Sequence, residues 1–265
     1  MAQQSLTMHP VVNMRCLPKI LIVLVVMKSC SAAPAARVET DPELTAGYTE
    51  GDMILGDQNR NGLINETYRW PDRIVYYFIN SYIDQEHRNH IIRGIRLLEA
   101  NSCLIFKEAT SDQPYYVNVT SEAGGCFSYV GYRNRVQQLN LQNYDLDTGC
   151  FRLGTIVHEF LHALGFYHQQ STWNRDDYVR IVEENITEGT ENNFNKYDKD
   201  TVDNYDEDYD YGSVMHYSST AFSKNGKMTI VPLEEGADLI MGQRLQMSTA
   251  DINKLNTMYK CPRKV

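Results

Sequence analysis

The stretch "HEFLHALGFYHQQ", residues 158–170, constrains this chain more than any other. His158 and His162 are four residues apart, so on a helix they lie on one face, one turn apart. Glu159 directly follows the first histidine. Its carboxylate therefore falls beside a metal held by the pair without ligating it. Gly165 stands three residues past His162, and glycine alone turns freely into positive φ, so the helix can end there. That turn brings His168 back toward the same point as a third nitrogen ligand. Three imidazoles leave a tetrahedral zinc ion one open position for water, the mark of a catalytic rather than a structural site. Phe160, Leu161 and Leu164 can bury the rest of the helix while the histidines face a cleft. A helix that merely carries surface histidines requires neither the glycine nor the third histidine at these offsets.

A second piece is "YGSVMHY", Tyr211 to Tyr217. Met215 would floor the zinc site with a soft apolar side chain. Tyr217 would reach the metal or the substrate oxygen. The extended spacing followed by such a Met-turn is the metzincin pattern. The chemistry follows from the groups. Zinc lowers the pKa of bound water toward about 7 and polarises a carbonyl. A carboxylate in reach takes the water proton and passes it to the leaving amine. A phenol donor stabilises the charge on the tetrahedral oxygen.

The chain has 265 residues and a net charge of −9, which argues against a nucleic-acid partner. Arg15 and Lys19 precede an apolar run, Ile20 to Met27, and the small residues "SCSAAPAA" follow. This is the pattern of a signal peptide over 1–33 and of a secreted, extracellular protein. The run falls short of the roughly 20 apolar residues of a spanning helix, so no membrane anchor is expected. Four cysteines then remain: Cys103, Cys126, Cys150 and Cys261. In an oxidising compartment they suggest two disulfides, among three possible pairings. Asn65, Asn118 and Asn185 open glycosylation sequons.

Residues 33–60 are rich in Pro, Gly and acidic residues and read as loop. Strands are expected at "RIVYYFI", "CLIFKEA", "YYVNVT", "CFSYVGY" and "QQLNLQ". Asp84 can cap a helix carrying Ile91, Ile92, Ile95 and Leu98. Past Gln170, "YVRIVEENI" could begin a strand or short helix. "DKDTVDNYDEDYDYGS" reads as a solvated loop. "TADINKLNTMYKC" reads as a last helix. The class is α+β, in two lobes around the metal-binding helix.

With "GTIVHEFLHALGFYH", "SVMHY", "YRWP", "CFSYVG" and "NRDDYV" together, the chain resembles the astacin family of zinc endopeptidases, from about Asn61 to Cys261. The resemblance implies a mixed, mostly parallel sheet with helices above, an irregular lower lobe, and one zinc ion in the cleft between. It implies zinc ligation by His158, His162 and His168, with Glu159 as general base and acid and Tyr217 as a switchable ligand. It pairs Cys103 with Cys261 and Cys126 with Cys150. The edge strand Cys126, Phe127, Ser128, Tyr129, Val130 and Gly131 would pair with extended peptide or protein substrate. It further implies a zymogen. Asp52 of "EGDM" would fill the zinc's open position from a prosegment, residues 34–60. A trypsin-like protease would cut after Arg60 to give a catalytic domain, 61–265, similar to single-domain arthropod relatives. In most of the family a glutamate follows the third histidine and binds the mature N-terminus. Here Gln169 stands there without a charge, so that ion-pair account does not carry over unchanged. An inactive binding protein of this fold would typically lose the base or a ligand, and this chain keeps all four.

Overall fold

The computed structural model describes residues 41–56 and 65–262. The expected signal segment, the start of the expected prosegment and the expected cleavage after Arg60 lie outside them.

Six strands form one sheet: β1 (Met53–Ile54), β2 (Ile74–Ile79), β3 (Ile105–Glu108), β4 (Val117–Thr120), β5 (Cys126–Tyr129) and β6 (Gln137–Leu141). Their order is β1-β5-β6-β4-β2-β3. Every pairing is parallel except β5 with β6. Alternation sets the faces, since side chains along a strand point to opposite sides. Val75 and Ile79, Val117 and Val119, and Leu139 and Leu141 are all fully buried.

Two helices contribute to the same core. In α1 (Gln85–Ala100), Asp84 caps the N-terminus by accepting from the Glu86 and His87 amides, as its position predicts. Ile91, Ile95 and Leu98 are buried, while Ile92 is half-buried. The second helix, α2 (Leu153–Leu164), is buried at every position from Gly154 onward. It is the central helix of the molecule, so the polar groups it carries are held away from water.

Below α2 regular structure thins. β7 (Val179–Ile181) and β8 (Ile230–Pro232) form an antiparallel pair. They belong to a second apolar cluster with Ile186, Phe194, Tyr209, Tyr211 and Tyr217. Last comes α3 (Thr249–Met258), closed at its start by a capping box between Ser248 and Asp251. Its Leu255 and Met258 join the first core. Disulfides tie Cys103 to Cys261 and Cys126 to Cys150.

Two expectations change. The 33–60 stretch is not all loop: β1 lies against β5 with Met53 opposite Ser128 and Ile54 opposite Tyr129. Two residues carry no strand pattern of their own, and the pairing comes from docking on a neighbour's free edge. Hence β5 is not the edge of this sheet. Cys126, Phe127, Ser128, Val130 and Gly131 are buried, and Tyr129 is half-buried. The acidic, tyrosine-rich stretch is irregular but only partly solvated, because Val202, Asn204, Tyr209 and Tyr211 are buried. Its tyrosines bury their rings and satisfy their hydroxyls. Tyr209 Oη lies 2.7 Å from His216 Nε2, and Tyr211 donates to the Tyr178 carbonyl at 2.6 Å.

The three sequons differ. Asn65 is exposed. Asn118 is half-buried in β4, and the half-buried Asn185 amide is engaged with the Met228 carbonyl and Asn225.

Candidate active site

Helical spacing puts His158 and His162 side by side on α2. Gly165, at φ 111°, then ends the helix with its amide on the His162 carbonyl. The chain doubles back, and His168 arrives opposite. One ligand atom from each histidine and one from Asp52 lie within 4.8 Å of one another. Asp52 Oδ2 is 3.3 Å from His158 Nε2, and Asp52 Oδ1 is 3.4 Å from both His162 Nε2 and His168 Nε2. All four residues are buried.

The outer nitrogens decide what the inner ones can do. His158 donates its Nδ1–H to the Val214 carbonyl at 2.8 Å, and His162 its Nδ1–H to the Phe166 carbonyl at 2.8 Å. A carbonyl only accepts, so both rings turn an Nε2 lone pair inward. Those two Nε2 atoms sit 3.0 Å apart, a distance at which two lone pairs repel. Asp52 Oδ1 and His168 Nε2 have no hydrogen-bond partner among the described residues. A cation at their centre satisfies every one of these atoms. Three imidazole nitrogens and one carboxylate oxygen are a four-coordinate zinc set. The residues therefore fit the ion.

Burial and neighbouring charge tune the groups. Burial pulls the His158 imidazole down to about 4, which keeps it in the neutral, ligating form. Burial opposes a charge on His168, but Asp52 and Glu50 outweigh it and push the imidazole up to about 9. A metal at the cluster replaces that proton. Burial, then Asp52 and Glu43, push the Glu159 carboxyl well above the usual carboxylate range. Neither Glu159 oxygen has a hydrogen-bond partner among the described residues, so the carboxylate is free for proton transfer.

The remaining expected residues sit around this cluster. Met215 is buried, and its carbonyl accepts the Gln169 amide at 3.0 Å. The Tyr217 ring lies 4.7 Å from that of His168, centroid to centroid, and its hydroxyl donates to the Glu50 carbonyl at 2.5 Å.

Several residues had no sequence signal. Glu50 accepts from His168 Nδ1 at 2.7 Å, on the far side of that ring from Asp52. Glu43, 1% exposed, accepts from Arg244 Nε at 2.9 and 2.8 Å and from the Thr155 hydroxyl at 2.6 Å. Arg152 adds a contact to Asp41 at 2.9 Å. Thus residues 41–52 are held by four carboxylates, those of Asp41, Glu43, Glu50 and Asp52. Acidic residues in a loop-like stretch carry no period that would reveal such partners.

Comparison with known proteins agrees with this geometry. The family model described as Astacin, a peptidase family, matches residues 62–260. The chain is 50% identical over 228 residues to Seminal metalloprotease 1 of Drosophila melanogaster, covering 84% of this chain and 90% of that protein. It is 35% identical over 236 residues to Zinc metalloproteinase nas-4 of Caenorhabditis elegans, covering 85% and 73%. Among solved structures it is similar to High choriolytic enzyme 1, a hatching enzyme zinc-protease from Oryzias latipes, with a TM-score of 0.67 and 33% identity. That match covers 75% of this chain and 97% of the other. A profile spanning nearly all of the described fold, and a half-identical relative matched over most of its length, place this chain in the astacin family as a metalloendopeptidase with zinc as its cofactor.

Proposed function

We propose that the enzyme is made as a secreted zymogen, with a signal segment over 1–33 and a prosegment over 34–60. A trypsin-like protease cuts after Arg60 and releases a catalytic domain, 61–265. The observation that carries this reading is Asp52, whose carboxylate lies 3.3 and 3.4 Å from the inward nitrogens of the histidine cluster. A carboxylate there takes the position that water needs. No helix among the described residues is long and apolar enough to cross a membrane. Of the sequons, the exposed Asn65 is the one we assign a glycan.

In the released enzyme His158, His162 and His168 hold zinc. Bound zinc supplies Lewis acidity, which polarises the scissile carbonyl and makes water acidic near neutral pH. Departure of Met53–Ile54 frees the edge of β5, which then pairs with an extended peptide through backbone hydrogen bonds. Glu159 removes a proton as water oxygen bonds to the carbonyl carbon. It delivers that proton to the amide nitrogen as the C–N bond breaks, leaving a carboxylate and a free amine. Tyr217, released from the Glu50 carbonyl, turns its O–H toward the oxyanion.

The test treats the secreted zymogen with trypsin, sequences the new N-terminus and follows casein hydrolysis. An Asn61 terminus should appear together with activity that a chelator removes and that Glu159→Ala lacks. Equal activity in Glu159→Ala would sink the mechanism, and full activity before cleavage would sink the zymogen.

A further inference from the structure

The site is braced from below by two side chains on one face of α3. Asp251 accepts from the Ser213 hydroxyl at 2.6 Å and from the Val214 amide at 2.9 Å. The Val214 carbonyl in turn holds His158 Nδ1, so this brace reaches the first ligand. One turn further along, Lys254 Nζ donates to Gln169 Oε1 at 2.6 Å. Gln169 directly follows His168, and its amide is pinned to the Met215 carbonyl. Lys254 is 5% exposed and Gln169 is 4% exposed. A buried ammonium must be paired or hydrogen-bonded, and here its bond ends on the residue that follows the third ligand.

We infer that Lys254 is a positioning residue of the zinc site, holding His168 in place through Gln169 from within the chain. The inference rests on the proposed maturation in one respect, the part played by the new terminus. The cavity beside Gln169, lined also by Val202, Asp203 and Met258, holds about 30 Å³. That is room for a water or two, not for a chain end. It also already contains a cation, and a second ammonium beside Lys254 would meet like-charge repulsion in a buried setting. The Asp203 and Asp251 carboxylates line the cavity too, but a neutral Gln169 stands beside His168 where a carboxylate would draw an α-ammonium to the third ligand. The mature enzyme therefore keeps its third ligand aligned without help from Asn61.

The experiment uses the matured, disulfide-intact enzyme and compares wild type with Lys254→Met and Gln169→Asn. Zinc affinity is read by competition with a chromophoric chelator, and kcat and KM on a quenched peptide. Both variants should bind zinc about tenfold more weakly, the low end for supporting residues around a metal. With zinc in excess, kcat per folded, zinc-loaded enzyme should fall while KM stays put; the folded fraction is measured separately by circular dichroism, because loss of folded protein alone lowers apparent kcat at constant KM. Gln169→Asn keeps the amide but withdraws it from Lys254, so it decides the matter if Lys254→Met fails to fold. Unchanged zinc affinity and kcat in folded variants would overturn the inference. A second arm adds an alanine ahead of Asn61. Unchanged kcat/KM is expected, and a tenfold loss would overturn the claim that the brace is internal. If matured wild type itself lacks chelator-sensitive activity, the proposed function fails instead, and zinc affinity alone still judges Lys254.

Discussion

The Glu43–Arg244 pair gives the sharpest prediction, because both partners are buried and lie on opposite sides of the bond that the proposed activation would break. Arg244 sends Nε to both Glu43 oxygens, at 2.9 and 2.8 Å, and Nη2 to Oε2 at 2.6 Å. Thr155, on the metal-binding helix, completes the carboxylate's shell. With the proposed prosegment undocked, water would solvate both groups. With it docked and Glu43 replaced by Gln, the guanidinium is buried without its countercharge. Removing one partner of such a pair costs about 3–5 kcal/mol. Glutamine keeps the shape and one acceptor oxygen, so the low end applies. At about 1.4 kcal/mol per decade, about 3 kcal/mol makes transient opening about a hundredfold more frequent.

The assay uses a zymogen carrying Arg60→Ala, so that activity arises from opening and not from cleavage. Basal peptide hydrolysis should rise about a hundredfold when Glu43→Gln is added. Asp52→Ala serves as the positive control for leakage. A rise of under about threefold, less than about 1 kcal/mol, would refute the claim that this pair fastens the prosegment. The pH dependence adds a sign. Burial opposes the charge on Glu43, but Arg244 outweighs it and holds the carboxyl well below the usual range. A depressed pKa stabilises docking fully above the free value of about 4.3, and that stabilisation is lost as pH falls through the docked value. Prosegment release, followed by hydrogen exchange, should therefore be promoted by acid below about pH 4 in the Arg60→Ala zymogen. The Glu43→Gln variant should lack that component.

Other outcomes follow from the same geometry. A zinc chelator should abolish hydrolysis, and added zinc should restore it; persistent activity in metal-free protein would contradict the histidine cluster. Glu159→Gln should lower kcat by about 10²–10⁴-fold with zinc content unchanged by metal analysis, the range for loss of a general base. At Gly154 an added Cβ would fall well inside contact distance of the Arg244 carbonyl carbon and oxygen. Gly154→Ala should therefore destabilise the fold by at least about 1–3 kcal/mol in a denaturant titration, and an unchanged midpoint would contradict that packing. The disulfides span sequence separations of 158 and 24 residues. Loop-closure entropy assigns them about 5 and about 3.5 kcal/mol, so losing Cys103–Cys261 should lower Tm more than losing Cys126–Cys150.

What was legible in the sequence was what backbone periodicity controls. His158 and His162 had to share a face, Gly165 had to end the helix, and Asp84 had to cap the other helix of that core. Each is a rule about residues a few positions apart. What stayed hidden depends on partners far along the chain. Arg244 and Glu43 are 201 positions apart, and Lys254 and Gln169 are 85 apart. No local pattern distinguishes those charges from solvated ones, and only the fold brings each to its partner. β1 was hidden for a related reason, since its strand character belongs to the edge of β5 that it occupies. The tyrosine-rich stretch misled through composition: its carboxylates promised solvent, while its rings supplied the second core.

These hidden contacts share one logic. Most of the groups the reaction needs are engaged by a polar group from residues 41–54. Asp52 faces the three histidines, Glu50 takes the outer nitrogen of His168, and the Glu50 carbonyl takes the Tyr217 hydroxyl. Met53 and Ile54 lie along the strand a substrate would pair with. Because these partners lie on one short segment, the proposed release would free them as a unit. That would separate the proposed prosegment from a simple plug: weakening Glu43, well away from the histidine cluster in sequence, should loosen Asp52 as well. In a double-mutant cycle on basal hydrolysis, the free-energy effects of Glu43→Gln and Asp52→Ala should therefore add, their fold-changes multiplying on one opening equilibrium until the chain is fully open. A double mutant far short of that product, at activity still well below the cleaved enzyme's, would mean that the two carboxylates act on separate motions.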